Sequence, residues 1–241
     1  MRQFKCFAAG IGTLGLLALG VLSSAGMVPH PATKGNSRND NAVGRSVAVQ
    51  SDQRSTTLAK AQVATKLAGL PLTFEPNLGQ APDGVRFVSR AKGYSAALTA
   101  DAVVMGLKPS GKDKTPAAVK LEFVGANQDS RAEVLEPQGF KTNYFIGRDR
   151  SKWVTGVSNY AKVRYRDVYP GVDVVFHGNQ RDLRYDFVVS PGASTENIRV
   201  SYAGVSSLKL DQNGDLVVET AAGDFRQLKP FIYQEIDGKQ V

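Results

Sequence analysis

The stretch VYPGVDVVFHG (Val168–Gly178), with LRYDFVVSPGA (Leu183–Ala193) close behind it, decides the fold. Tyr169-Pro170-Gly171 makes a turn, because proline presets one backbone angle and glycine tolerates the left-handed region that a tight reversal demands. Out of that turn Val172, Val174 and Phe176 alternate with Asp173 and His177, the period-two pattern of a strand with one buried face. The second stretch repeats the logic and is closed by Pro191-Gly192. Two strands bounded by Pro-Gly turns point to an antiparallel sheet.

The same punctuation extends in both directions. Val85–Arg90 and Tyr94–Ala100 flank Lys92-Gly93, and Ala102–Leu107 and Val119–Val124 follow. Later runs are Lys162–Tyr165, Ile198–Tyr202, Leu208–Leu210, Leu216–Glu219, Phe225–Leu228 and Phe231–Ile236. Short apolar runs separated by Gly, Pro, Asn and Asp predict an all-β, antiparallel, sandwich-like domain. Lys108–Pro116 (KPSGKDKTP) is the one internal linker candidate, so the domain is read either as one sandwich or as two lobes meeting there. Asn213-Gly214 and Asp237-Gly238 are tight-turn signals. After the second, only Lys239, Gln240 and Val241 remain to form a returning strand. The expectation is that Phe231–Ile236 lacks its partner and that the domain, taken as 72–241, continues further.

The amino-terminal residues read differently. Arg2 and Lys5 form a positive start, Phe7 to Leu22 run without a charge, and Ser23-Ser24-Ala25 supplies small residues for a cut after Ala25. That is the layout of a secretory signal peptide over residues 1–25. Four glycines and a length short of the roughly 20 residues of a spanning helix argue against a retained anchor. Residues 26–57 are polar, with hardly a large apolar side chain, and read as a flexible spacer. Leu58, Ala61, Leu67 and Ala68 share one helical face, which predicts a short helix over 58–71, stopped by Gly69 and Pro71.

Charge and residue inventory narrow the chemistry. Arg2 and Lys5 carry two of the formal +8, and residues 26–57 carry a net two more, which leaves +4 from Leu58 onward. Those charges alternate with acids, so no concentrated basic face for nucleic acid is expected. The only cysteine, Cys6, departs with the leader, which removes disulfides, thiolate catalysis and cysteine-zinc sites. His177 is the only histidine beyond the spacer. A triad could be drawn from His177, Asp186 and a serine, but no nucleophile-elbow motif accompanies them. Both are therefore read as structural. Asp211, Asn213 and Asp215 stand at alternate positions, as the first ligands of a calcium loop do, yet its twelfth position is Ala222. The alternative there is a hairpin turn with solvated aspartates. Glu75, Asp173 and Asp186 are possible members of a glycosidase carboxylate pair. No catalytic, cofactor-binding or metal-binding residue is assigned, and no cofactor.

Several stretches are more specific than strand sequence requires: FEPNLGQ (Phe74–Gln80), NYFIG (Asn143–Gly147), VYPGVDVVFHG (Val168–Gly178), YDFVVSPGA (Tyr185–Ala193), GDLVVET (Gly214–Thr220) and KPFIYQ (Lys229–Gln234). Together with Tyr160, in this order, they make residues of about 70–241 resemble the amino-terminal domain of unknown function of bacterial SBBP-repeat proteins. The resemblance implies secretion, an all-β domain and β-propeller-type repeats following in the same chain. It implies no catalytic residues. The expected function is a non-catalytic secreted or cell-surface module that mediates adhesion or another extracellular interaction, with envelope polymers or proteins as partners. The alternative is a carbohydrate-binding or glycan-active domain, for which Trp153 and Tyr160, Tyr165, Tyr169 and Tyr202 are the rings available for stacking. Neither nucleic acid nor a membrane span of the mature chain is expected.

Overall fold

A computed structural model of the chain describes residues 3–13, 70–236 and 239–240. Among them, β1 (Gln3–Thr13) comes first, then β2 (Phe74–Pro76), β3 (Phe87–Arg90), β4 (Tyr94–Leu98), β5 (Ala102–Leu107) and β6 (Ala117–Phe123). Two long strands follow, β7 (Ala132–Tyr144) and β8 (Val154–Tyr169), joined across a single 3-10 turn at Arg150–Lys152. Then come β9 (Val172–Gly178), β10 (Asp182–Val189), β11 (Val200–Ala203) and β12 (Ser207–Leu210). The last are β13 (Leu216–Glu219), β14 (Phe225–Gln227), β15 (Phe231–Ile236) and β16 (Lys239–Gln240). They hydrogen-bond in the order β11-β6-β5-β4-β3-β2-β8-β9-β10-β1-β14-β13-β12, with β7 on β8 and β15 on β1. The fold is all-β and sandwich-like, formed by one antiparallel sheet that curls on itself.

The curl brings the β3–β6 half over the β8–β10 half. Leu98, Val103, Met105, Val119 and Leu121 from the first half are buried with Val163, Val174, Leu183 and Val189 from the second. Aromatic rings fill the centre. Phe123 meets Tyr185 edge-on at 5.5 Å and Phe187 at 5.8 Å, and Tyr165 meets Phe176 at 5.6 Å. Edge-to-face contacts of this kind add about 0.5–1.5 kcal/mol per pair to the burial of the rings themselves.

The deciding stretch explains its own motif. Tyr169 pairs with Val172 across Pro170-Gly171, and Gly171 has φ 71°. A Cβ there would also lie 2.8 Å from the Cβ of Ala193. The second Pro-Gly loop thus packs directly on the first, and the Ser190 N–H donates to the Gly171 carbonyl at 2.9 Å. At its other end, Gly178 brings β9 so close to the next turn that a Cβ would fall 2.0 Å from the Asp182 carbonyl oxygen.

Just before the first turn, the β8–β9 register shifts between Tyr165 and Tyr169, and Asp167 there has φ 50°. Such bulges bend a strand and raise its twist. Asp173 holds this one. Its carboxylate accepts from the Asp167 N–H at 2.8 Å and the Arg164 Nε–H at 2.7 Å, with Arg166 Nη1 at 3.5 Å. Beyond the bulge, the Tyr169 hydroxyl lies 3.1 Å from the Val124 carbonyl and 3.2 Å from the Arg199 carbonyl. The bent end of β8 is thereby tied to the opposite half of the sandwich.

Three expectations are modified. Strand β7 is unforeseen, because Pro137, Gly139 and Glu136 at φ 56° interrupt it and most of its residues are exposed. It has no alternation to detect. Lys108–Pro116 is a loop joining β5 to β6 within one body, seated on the β13–β14 turn by the Ser110 N–H to Ala222 carbonyl bond at 2.9 Å. Strand β15 has neighbours where none was expected. Glu235 and Ile236 pair with β16, and Phe231–Glu235 pair with Gln3–Phe7 of β1. The rest of the expected 1–25 leader, the expected 26–57 spacer and most of the expected 58–71 helix lie outside the described residues. The exceptions are Leu70 and Pro71, and Pro71 makes an isolated bridge with Asn179. No helix among the described residues is long and apolar enough to cross a membrane.

The Asp173 clasp carries a mutational consequence. Asp173→Ala leaves the half-buried Arg164 and the Asp167 N–H without their acceptor and is expected to cost about 1–3 kcal/mol. Tyr165→Phe removes a buried hydroxyl that has no hydrogen-bond partner. It is expected to leave stability unchanged or raise it by up to about 1 kcal/mol. Urea unfolding of the two variants checks both, and a Tyr165→Phe loss as large as that of Asp173→Ala would contradict this account.

Candidate functional site

One concavity among the described residues is apolar, with a volume of about 540 Å³. The inward positions of β10, Tyr185, Phe187 and Val189, form one wall because they continue the core alternation to the sheet's open end. Ile198, from the connection after the second Pro-Gly turn, and Ile232 of β15 form others. None of its lining residues carries an ionisable acid or base apart from the Tyr185 phenol, which is 1% exposed. Ile232 is 69% exposed, an apolar side chain standing at the mouth. An apolar recess with few polar groups is the form that docking sites take.

A second feature is polar and lies under FEPNLGQ and NYFIG. Glu75 is buried on β2 and accepts hydrogen bonds from the Tyr144 hydroxyl and, at 3.2 Å, from Thr142 Oγ1. Arg90 Nη1 stands 3.8 Å from Glu75 and also donates to Tyr144. Burial, reinforced by the hydrogen bond to Glu75, pushes the Tyr144 phenol up to about 12. Asn159 extends the group by donating to Thr142 Oγ1 at 2.9 Å. Asn77 explains the rest of the motif, since its side chain donates to the Val85 carbonyl at 2.9 Å and accepts from the N–H groups of Gly79 and Ala81 at 3.1 Å. Beside this loop Phe145 is 62% and Ile146 65% exposed. The Trp153 ring meets Phe145 edge-on at 5.0 Å, with the Arg150 guanidinium 5.4 Å above it.

The sequence-level candidates separate. His177 and Asp186 do meet, 3.0 Å apart on the outer face of β9 and β10. Asp173 shares that face but is engaged by two arginines. Glu75 sits elsewhere, on β2, so the three carboxylates do not converge. Asp211, Asn213 and Asp215 form the β12–β13 turn. The Asp211 carboxylate accepts from the N–H groups of Asn213 at 2.8 Å and Asp215 at 3.1 Å and pairs with Arg226. Among the described residues no cluster of three or more His, Cys, Asp or Glu is placed to hold a metal. Of the rings available for stacking, Tyr165 and Tyr169 are buried in the core. Tyr202 donates to Gln227, and Trp153 stays near the surface. Sequence reasoning missed the apolar concavity because its walls come from β10, the following loop and β15, which no local pattern joins.

Two consequences can be measured. Glu75→Gln and Glu75→Ala should both destabilise, the alanine by about 1–3 kcal/mol because it leaves buried donors without an acceptor. Thermal unfolding checks this, and unchanged stability in Glu75→Ala would contradict it. The second concerns acid. Burial raises the Asp211 carboxyl, but the two turn amides and Arg226 outweigh it and hold it below the usual range. A depressed folded value stabilises the protein above the unfolded value, and that stability is lost as the pH falls through the folded one. The β12–β13 turn should therefore stay closed until the pH is below the ordinary aspartate range, as read by the Asp211 side-chain carbon resonance.

Comparison with known families matches residues 74–241 to the model described as Domain of unknown function (DUF7948). No curated protein and no solved structure matches the chain. The matched segment contains the Asp173 clasp, the stacked Pro-Gly turns, the Glu75 group and most of the concavity's walls. The chain therefore belongs to the DUF7948 family, a family of domains of unknown function.

Proposed function

We propose that this domain is a non-catalytic module of a secreted or cell-surface bacterial protein that mediates adhesion or another extracellular interaction. In this reading it precedes a β-propeller-type repeat array in the same chain. The observation that carries it is the concavity bounded by Tyr185, Phe187, Val189 and Ile232, whose apolar walls suit docking better than chemistry. The leader-like residues 1–25 and the ordered SBBP-type motifs support the setting. The engagement of Asp173 and Glu75 by neighbouring side chains supports a structural rather than a reactive role for them.

The experiment presents the purified chain to immobilised envelope glycans and to a panel of glycoside and ester substrates, following retention and product release. Retention without sustained turnover is expected, with a roughly tenfold loss in Ile232→Asp, equivalent to about 1.4 kcal/mol. Sustained turnover that disappears in His177→Ala, with unchanged circular dichroism, would overturn the reading.

A second reading, a carbohydrate-binding domain, is favoured by the pair of exposed Phe145 and half-buried Trp153, because accessible rings are stacking surfaces for sugars. Trp153 is the only tryptophan, so its fluorescence reports that surface alone. An emission change on oligosaccharide titration, abolished in Phe145→Ala, would establish this reading. An unchanged emission would leave the concavity as the docking surface.

A further inference from the structure

Residues Gln3–Thr13 have two occupations that exclude each other. In the fold they are β1, the strand that bridges β10 to β14 and β15. Phe4, Cys6 and Ala8 stand opposite Val189, Phe187 and Tyr185 of β10, while Gln3–Phe7 pair with Phe231–Glu235 on the other side. In the sequence the same residues are the positive start and the first half of the uncharged run of a secretory leader. Cleavage after Ala25 would withdraw a strand that has hydrogen-bonded neighbours on both edges.

The consequence follows from strand geometry. Neighbouring strands lie about 4.8 Å apart, so withdrawing β1 leaves β10 and β15 facing one another across about twice that distance. This gap fits one extended chain. Both edges would then present unpaired N–H and C=O groups, the template on which an added strand forms. The β10 positions opposite Phe4, Cys6 and Ala8 are also the apolar wall of the 540 Å³ concavity. An incoming strand therefore meets polar backbone groups along its two edges and apolar surface at alternate residues.

We propose that the gap between β10 and β15 is a strand-acceptor site. Residues Gln3–Thr13 fill it before processing. Once the leader is removed, it takes an extended peptide of the same chemistry, antiparallel to both neighbours, with small or apolar residues at alternate positions. This rests on reading residues 1–25 as a leader, and it makes the concavity of the proposed docking function part of a β-augmentation site. Main-chain hydrogen bonds would supply affinity, and the positions facing Tyr185, Phe187 and Val189 would supply selectivity.

The test takes the full chain expressed for export, determines the amino terminus of the exported protein by mass spectrometry, and measures amide hydrogen exchange over residues 182–189 and 231–235. The probe is a synthetic peptide of residues 3–13 carrying Cys6→Ser, with a scrambled peptide of equal composition as control. Expected are a start near Gly26, fast exchange at the β10 amides that point away from β9, and at least a tenfold slowing there with the probe alone. A start near Gly26 with those amides already protected and indifferent to the probe would overturn the site while leaving the leader reading intact. The same protection accompanied by a dimer in light scattering would assign the gap to a second copy and overturn the peptide as occupant. A leaderless protein that is unfolded and stays unfolded with the probe would also overturn it. A chain that is exported but retains Met1, with β1 and β10 protected together, would overturn the leader reading and with it the opening of the site.

Discussion

The hydrogen bond from the Asp167 N–H to the Asp173 carboxylate holds the bulge on which the sandwich closes. Antiparallel ladders left alone give a twisted open ribbon, and a two-layer core needs one strand to leave its own layer. Strand β8 does this at Asp167, in a left-handed conformation that a non-glycine residue adopts only when its surroundings compensate. Asp173 compensates from the neighbouring strand and is itself neutralised by Arg164 and Arg166. Tyr169, two residues beyond the bulge, can then reach the carbonyls of Val124 and Arg199 on the facing half.

That arrangement accounts for the composition of the deciding stretch better than hydrophobic alternation does. The alternating valines and Phe176 face the core, and Asp173 is the exception on the outer side that makes the turn region rigid. The Pro170-Gly171 and Pro191-Gly192 turns stack at the same end, so the β8–β9 and β10–β11 connections support each other. This rigid end also carries Ala193 and Ile198, which wall the concavity. The concavity is in this sense a by-product of how the sandwich is closed.

The polar group beneath FEPNLGQ serves the other end of β8. Glu75 ties the short strand β2 to the long ribbon of β7 and β8 through Thr142 and Tyr144, while Asn77 satisfies the loop backbone that follows. Motif residues at both ends of β8 are thus occupied with backbone and side-chain satisfaction. Their specificity as sequence reflects the cost of leaving buried polar groups unpaired, which is paid residue by residue.

From the chain alone, the strand class and most strand positions were legible, because each follows from period-two burial and from Pro-Gly, Asn-Gly or Lys-Gly turns within a few residues. Ala102–Leu107, Leu216–Glu219 and Phe231–Ile236 coincide with the strands formed. The β12–β13 turn was legible too, from Asn213-Gly214, whereas the Asp211 carboxylate's hold on the Asn213 and Asp215 amides was not. Tertiary structure alone decided that Glu75 meets Tyr144, that Tyr169 ties Val124 to Arg199, that β7 lies on β8, and that β10 and β15 flank residues Gln3–Thr13. These partners are separated by tens to hundreds of residues, and the register between them is set by which faces pack together and which buried polar groups find acceptors. Local periodicity records which face of a strand is buried. It carries no record of the strand on the other side.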